Sequence, residues 1–289
     1  MTDRRRLVRV PASSANLGPG YDVLAAALDI HLELEVSETG SFEVEAGGEG
    51  LSTGRDNLCV RAFERLHSAD GLRFEVRSDI PVARGLGSSA AAIVAGLLAA
   101  DHLYELGLDP PDIYRHAVEL EGHPDNVAAA LFGGFAVCSV DAPPTRLEPP
   151  QGVEGVLAMP PEPVSTEAAR AAMPAEVPVT DAVANIAAAS HLVLGIERSD
   201  LTLISRGLAD RLHQQRRAEV YPRSVDLLSM AGDVGAIGAT VSGAGPSVLF
   251  WCFWQDTGKV LDALAEQAGD DLELRRARFT PLGADVPEL

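Results

Sequence analysis

The sequence predicts a two-domain α+β protein. Three observations carry that expectation: strand-like stretches dominate the opening, helical periodicity gives way to an apolar strand near the end, and prolines crowd the region between. Nine of the 19 prolines fall between Pro143 and Pro178, and proline neither extends a helix interior nor donates in a central strand. The segment Asp141-Ala-Pro-Pro-Thr-Arg-Leu-Glu-Pro-Pro150 also lacks periodicity. A domain boundary is therefore expected near 148, giving units of residues 1–148 and 149–289.

In the first unit, residues 7–10, the alternation at 31–36, and residues 42–46 and 72–77 read as strands, expected to pair antiparallel. Residues 88–103 read as a helix, because Ala90, Ile93, Val94, Leu97 and Leu98 recur at the spacing of one buried face. The next helix starts with Asp109 as its cap and Pro110 and Pro111 in its first turn, and ends at Gly122. In the second unit helices are expected near 166–172, 181–194, 201–214 and 225–231. The apolar run at 247–253 reads as a buried strand, and a last helix follows at 258–268.

The 289 residues are 46% hydrophobic and 22% charged, enough apolar mass for one large core or two smaller ones. With 23 basic against 42 acidic residues the net charge is −19, so nucleic acid and anionic lipid are not expected partners. The longest apolar run, residues 90–100, is too short to span a bilayer, and Arg4-Arg5-Arg6 leads into Leu-Val-Arg-Val-Pro rather than a signal core. A cytoplasmic protein is expected. Cys59, Cys138 and Cys252 are widely spaced without a metal-ligand pattern and read as small core residues. Lys259 is the only lysine, so any anion clamp must use arginines or backbone amides.

Four stretches carry chemistry. The most informative is Pro81-Val82-Ala83-Arg84-Gly85-Leu86-Gly87-Ser88-Ser89-Ala90-Ala91. Its glycines let the backbone turn close to a ligand, and a helix start beyond them offers unpaired amides to an anion; the plainer alternative is a glycine turn with a serine cap. A hydroxyl there could also hold Mg²⁺. The second is Glu119-Leu-Glu-Gly-His-Pro-Asp-Asn126. Glu121 shares the helix face of Ile113, Ala117 and Leu120 whereas Glu119 projects away, which makes Glu121 the better Mg²⁺ ligand and Glu119 a solvated charge. His123, Asp125 and Asn126 are expected on a tight turn. The third is Pro11-Ala-Ser-Ser-Ala-Asn-Leu-Gly-Pro-Gly-Tyr-Asp22, where Asn16 and Asp22 surround a loop shaped by Gly18, Pro19 and Gly20; the plainer alternative is a strand-to-helix connection. The fourth, Thr240-Val-Ser-Gly-Ala-Gly-Pro-Ser247, lets main chain pack closely on a neighbour or ligand.

Taken together, these motifs resemble the small-molecule kinases named for galactose, homoserine, mevalonate and phosphomevalonate, and most closely the homoserine branch. The resemblance runs from about Leu7 to Phe253. It implies a ribosomal-protein-like N-terminal domain, a ferredoxin-like C-terminal domain, and ATP and L-homoserine bound between them with Mg²⁺, in a homodimer. The expected reaction is phosphorylation of the homoserine side-chain hydroxyl on the route to threonine; the alternatives are a kinase for another small alcohol, such as mevalonate, or a ligand sensor without catalysis. Carried over by position, Pro81 to Ala91 hold the nucleotide and Ser89 and Glu121 the metal. Asn16, Asp22, His123, Asp125, Arg170 and Arg217 hold homoserine, while Asp125, Asn126 and Thr166 form the catalytic set, although Asn126 cannot accept a proton at neutral pH. Two departures stand out. The family's His-Gln-Pro-Tyr-Arg is His213-Gln-Gln-Arg-Arg217 here, which leaves Arg216 as an alternative to Arg217, and Tyr21 replaces the usual phenylalanine.

Overall fold

The computed structural model describes residues 4–47, 50–139 and 142–287; Asp141, the first residue of the expected connecting segment, lies outside them. Its organising element is β2 (Leu24–Glu38), which alternates buried and part-exposed residues along its outer half. The preceding strand β1 (Arg5–Ala15) pairs with it antiparallel along one edge. The register shifts between Pro11 and Ala12, and a proline, having no N–H to give, suits such a bulge. The opening motif therefore joins two strands, not a strand and a helix.

Strand β3 (Glu43–Gly47) is followed by helix α1 (Leu58–Glu64) and strand β4 (Leu72–Ser78). β4 pairs antiparallel with β2, but β3 pairs with β4 in parallel, which corrects the all-antiparallel expectation. The intervening α1 supplies the crossover that a parallel pair requires. Helix α2 (Ser88–Tyr104) runs through the core and is buried almost all round, beyond the single stripe expected, because its alanines let neighbouring elements approach from every side. Helix α3 (Pro110–Glu121) has the predicted Asp109 cap and a left-handed Gly122 at its end. Helix α4 (Asp125–Phe132) stands where a tight turn was expected. Strands β5 (Phe135–Val137) and β6 (Thr145–Leu147) complete the first sheet, ordered β3-β4-β2-β5-β6 with β1 on β2.

The second sheet, ordered β10-β7-β9-β8, contains β7 (Val153–Met159), β8 (Gly238–Val241), β9 (Val248–Phe253) and β10 (Glu273–Ala277), all antiparallel. Between β7 and β8 come helices α5 (Thr166–Ala171), α6 (Val179–Arg198), α7 (Leu201–Gly207) and α8 (Pro222–Ser229), and α9 (Thr257–Gln267) precedes β10. The helix expected at 201–214 stops at Gly207, whose hydrogen side chain lets α7 lie against Leu192 of α6: a Cβ there would fall 2.4 Å from the Leu192 nitrogen. α6 has the length and composition of a membrane span, yet its Asn185 is buried and tied to the Pro19 carbonyl and to Asp210.

β9 is apolar at every position because both its faces are covered. Val248, Phe250 and Cys252 pack with Val260 and Leu264 of α9, whereas Leu249 and Trp251 join the core of the first sheet. Trp251 meets Phe279 at 5.0 Å and Phe135 at 5.9 Å between ring centroids. The chain after β10 returns to the first sheet, with bridges from Phe279 to Leu28 and from Asp285 to Arg9. One hydrophobic core thus runs through both sheets and fixes the cleft between them.

Candidate active site

The glycine-rich loop after β4 is shaped by contacts that only glycine permits. Gly85 and Gly87 have φ of +73° and +68°, and Cβ atoms there would fall 2.1 Å from the Ser242 carbonyl oxygen and 2.0 Å from the Ser13 hydroxyl. Gly87 itself caps α2 with no side-chain hydrogen bond, so the serines are not the cap. They occupy the first turn, where backbone amides have no acceptor within the helix. Ser242 Oγ lies 2.7 Å from the Gly85 carbonyl and 2.8 Å from Ser14 Oγ: it donates to the first and accepts from the second. The late glycine-rich motif is therefore the neighbour against which the loop packs. Arg84 donates to the Pro160 carbonyl, joining the loop to the second unit. Of the eleven expected nucleotide residues, Pro81 to Ser89 line the cleft but Ala90 and Ala91 do not. Their methyls are buried in the core, and the Ala91 amide is already bonded to the Gly87 carbonyl.

The two glutamates at the end of α3 separate by face. Glu119 is 50% exposed and paired with Arg65 at 2.6 Å. Glu121 is 7% exposed and accepts from Ser89 Oγ at 2.5 Å, so a hydroxyl and a carboxylate converge at the N-terminus of α2. Burial raises the Glu121 carboxyl above its ordinary value, against the Ser89 hydrogen bond and the His123 charge, which lower it. His123 Nδ1 lies 3.1 Å from Asp125 Oδ1, and Nε2 lies 3.7 Å from Glu121 Oε1. Its hydrogen bond to Asp125 raises its pKa. Asp125, 3% exposed, also accepts from the Asn126 amide at 2.8 Å. Asp125 and Asn126 are the first residues of α4 rather than part of an open turn; Pro124 and the alanines at 128–130 favour the helix once its face can be buried.

Asn16 is buried with both ends of its carboxamide engaged. It donates to the Gly243 carbonyl at 2.8 Å and accepts from the Asp22 amide at 3.0 Å. Asp22 in turn receives both Nη atoms of Arg170, at 2.9 and 2.8 Å, from α5 across the cleft. Arg170 also donates to the Tyr21 hydroxyl at 3.3 Å, the partner this tyrosine gains over phenylalanine. Thr166 opens α5, capped by Ser165, and lines the same cleft.

Arg216 and Arg217 go to different environments. Arg216 pairs with Asp181 at 2.9 Å away from the cleft. Arg217 is 2% exposed, lines the cleft 4.9 Å from the Tyr21 ring centroid, and meets no carboxylate within ion-pairing distance among the described residues. The turn that presents it, Gln215–Arg217, forms without the family's proline. Buried Asp210 gathers the amides of Leu212, His213 and Gln214 at 2.9, 3.0 and 2.7 Å. His213 Nε2 donates to the Gly18 carbonyl at 2.8 Å, and Gln214 Oε1 accepts from the Val241 amide at 2.7 Å.

That arrangement makes His213 pH-sensitive in a defined direction. Nδ1 is buried with no hydrogen-bond partner among the described residues, and burial lowers the pKa. The unfolded chain takes up this proton first, so the neutral ring's contribution to stability is full above pH about 6.5 and is lost as pH falls below it. Denaturant titrations between about pH 7 and 5 should show a flatter stability profile for His213→Asn than for wild type. Equal slopes would contradict the assignment.

The cleft enclosed by these elements has a volume of about 440 Å³. It is also lined by Leu51, Ser52, Asp56 and Asn57, which sequence reasoning did not single out. The available signal was Asn57, whose side chain caps α1 through the Cys59 amide at 2.9 Å.

Residues 57–134 match the family model described as GHMP kinases N terminal domain, and residues 192–271 that of GHMP kinases C terminal. A homoserine kinase of Moorella thermoacetica is 40% identical over 257 residues, covering 85% of this chain and 87% of that protein. One of Thermus thermophilus is 40% identical over 268 residues, covering 91% and 92%. The crystal structure of homoserine kinase from Cytophaga hutchinsonii superimposes with a TM-score of 0.86 at 26% identity, covering 99% of this chain and 98% of its own.

Proposed function

The chain belongs to the homoserine kinases of the GHMP family, and on that footing we propose how its cleft performs the reaction. It is an ATP-dependent kinase that phosphorylates the side-chain hydroxyl of homoserine, giving O-phosphohomoserine for threonine biosynthesis. The observation that carries the assignment of roles is the convergence, in one cleft, of an anion-binding helix start with acidic groups and a buried arginine that pairs with no carboxylate among the described residues.

ATP lies with its phosphates at the first-turn amides of α2, where the backbone charge distribution favours anions, and residues 81–89 wrap it. Ser89 and Glu121 offer an oxygen-only pair that fits Mg²⁺, a hard ion that keeps few protein ligands and shares phosphate oxygens. When bound there, Mg²⁺ neutralises charge on the β- and γ-phosphates. Homoserine is a zwitterion, so it needs cations for its carboxylate and anions for its ammonium. Arg217, aided by Arg170, receives the carboxylate, and Asp22 and Asp125 the ammonium. His123 holds Asp125, and Asn16 holds the loop that carries Asp22. The substrate hydroxyl oxygen forms the new P–O bond as the bond to the ADP oxygen breaks, and its proton is released. Asn126 and Thr166 stand by the transferring group. A loose transition state lets positioning and charge neutralisation carry this step without a dedicated base.

The first unit is read as ribosomal-protein-like and the second as ferredoxin-like, divided near 148, with the chain beyond residue 278 returning to the first. The exposed stripe Val179, Val183 and Ile186 on α6 supports a homodimer, and three buried free cysteines suit the cytoplasm. A substrate panel tests the specificity: kcat/KM for homoserine should exceed that for mevalonate or galactose by about a hundredfold or more. A higher value for either competitor would overturn the assignment.

A further inference from the structure

Strand β1 delivers a second hydroxyl to the phosphate end of the cleft. Ser13 follows the bulge at Pro11 and is fully buried. Its amide donates to the Leu86 carbonyl at 3.1 Å, inside the glycine-rich loop. Its hydroxyl donates to Asn126 Oδ1 at 2.8 Å. Gly87 completes the contact, since a Cβ there would fall 2.0 Å from Ser13 Oγ and 3.1 Å from Asn126 Oδ1. The first strand, the start of α2 and the start of α4 therefore meet at one hydrogen bond.

The chemistry of a carboxamide gives that bond a consequence. Asn126 has an acceptor end and a donor end, and a free side chain can exchange them by rotation. With Ser13 donating to Oδ1, the NH₂ end is the one left for the cleft, which Asn126 lines. No described residue accepts from it. A donor held in place beside the α2 amides stabilises charge that develops on a transferring phosphoryl group without reorganising during the step.

We propose that Ser13 is a positioning residue for phosphoryl transfer, fixing the Asn126 carboxamide so that its NH₂ group faces the phosphoryl oxygens. The inference rests on the kinase reading above. It assigns Ser13 no contact with either substrate, so its loss acts on kcat through Asn126 and leaves ground-state binding alone.

A double-mutant cycle in the full-length protein tests this. Ser13→Ala should lower kcat about ten- to a hundredfold, as orienting partners of a contacting group typically do, with KM for ATP and homoserine within about twofold of wild type. In an Asn126→Ala background the same change should leave kcat where Asn126→Ala alone put it. Ser13→Cys, near the hydroxyl in size and a weak donor, carries the same cycle if alanine unfolds the chain. An equal loss of kcat in both backgrounds would overturn the proposal. So would a raised KM for ATP at unchanged kcat, which would reduce Ser13 to a pin for the loop, or an Asn126→Ala enzyme with wild-type kcat. Wild-type protein that fails to phosphorylate homoserine would instead remove the kinase reading, and this inference with it.

Discussion

Glu121→Gln is expected to lower kcat by about a thousandfold and to raise the Mg²⁺ concentration needed for half-maximal rate, a loss of about 4 kcal/mol in transition-state stabilisation. The substitution keeps the shape of the side chain and an acceptor for Ser89 Oγ, so the change is in charge alone. Burial already works against the charged form of Glu121, and a neutral glutamine there leaves the melting temperature level or higher. Glu119→Gln, two residues away, breaks only an exposed pair with Arg65, worth about 0–1 kcal/mol of stability, and leaves kcat within about twofold. Steady-state rates across a Mg²⁺ titration separate the two variants. Equal losses would show that the helix face does not select the ligand.

Arg217→Met should raise KM for homoserine about 30- to 1,000-fold, equivalent to about 2–4 kcal/mol, while KM for ATP changes less than about threefold. The effect is large because the guanidinium is buried and pairs with no carboxylate among the described residues, so on the proposed reading the substrate carboxylate would be its ion-pair partner. The same fact predicts the opposite sign for stability. A buried charge that meets no carboxylate among the described residues is costly to the fold, and an apolar side chain of similar length keeps or raises the melting temperature. Loss of binding with retained stability is the signature of a residue kept for its ligand. A lowered melting temperature with unchanged KM would mark Arg217 as a structural arginine. Arg216→Met, which removes an outlying pair with Asp181, is the control.

The fold was legible where one element declared itself by its own residues. α2 is long and apolar, and β9 is a short apolar run that follows a glycine-rich turn. The two faces of α3 could be told apart because 3.6-residue periodicity places Glu119 and Glu121 differently. What the sequence left hidden was long-range. The parallel pairing of β3 with β4 depends on α1, a seven-residue helix too short to show periodicity. α4 was obscured because proline, aspartate and asparagine in succession spell a turn, and the helix forms because its alanines can be buried. α7 stops short because Asp210 gathers the amides that would otherwise continue it.

The candidate site divides in the same way. The glycine loop and the α3 terminus were readable as motifs, since their chemistry is local. The separation of Arg216 from Arg217 was not, because adjacent arginines differ only in what the rest of the chain puts beside them: Asp181 for one and the Tyr21 ring for the other. Leu51, Ser52 and Asp56 were likewise silent, ordinary loop residues until β3 and α1 bring them to the cleft. Ser13 was visible as part of a motif, but its partner lies 113 residues away.

The most direct test of the account is the product itself. Purified protein incubated with ATP, Mg²⁺ and L-homoserine, followed by phosphorus NMR, should show a phosphomonoester growing in step with ADP and no inorganic phosphate. Homoserine and nucleotide bound in the same sample, with neither ADP nor phosphomonoester formed, would contradict it and leave a ligand sensor in place of a kinase.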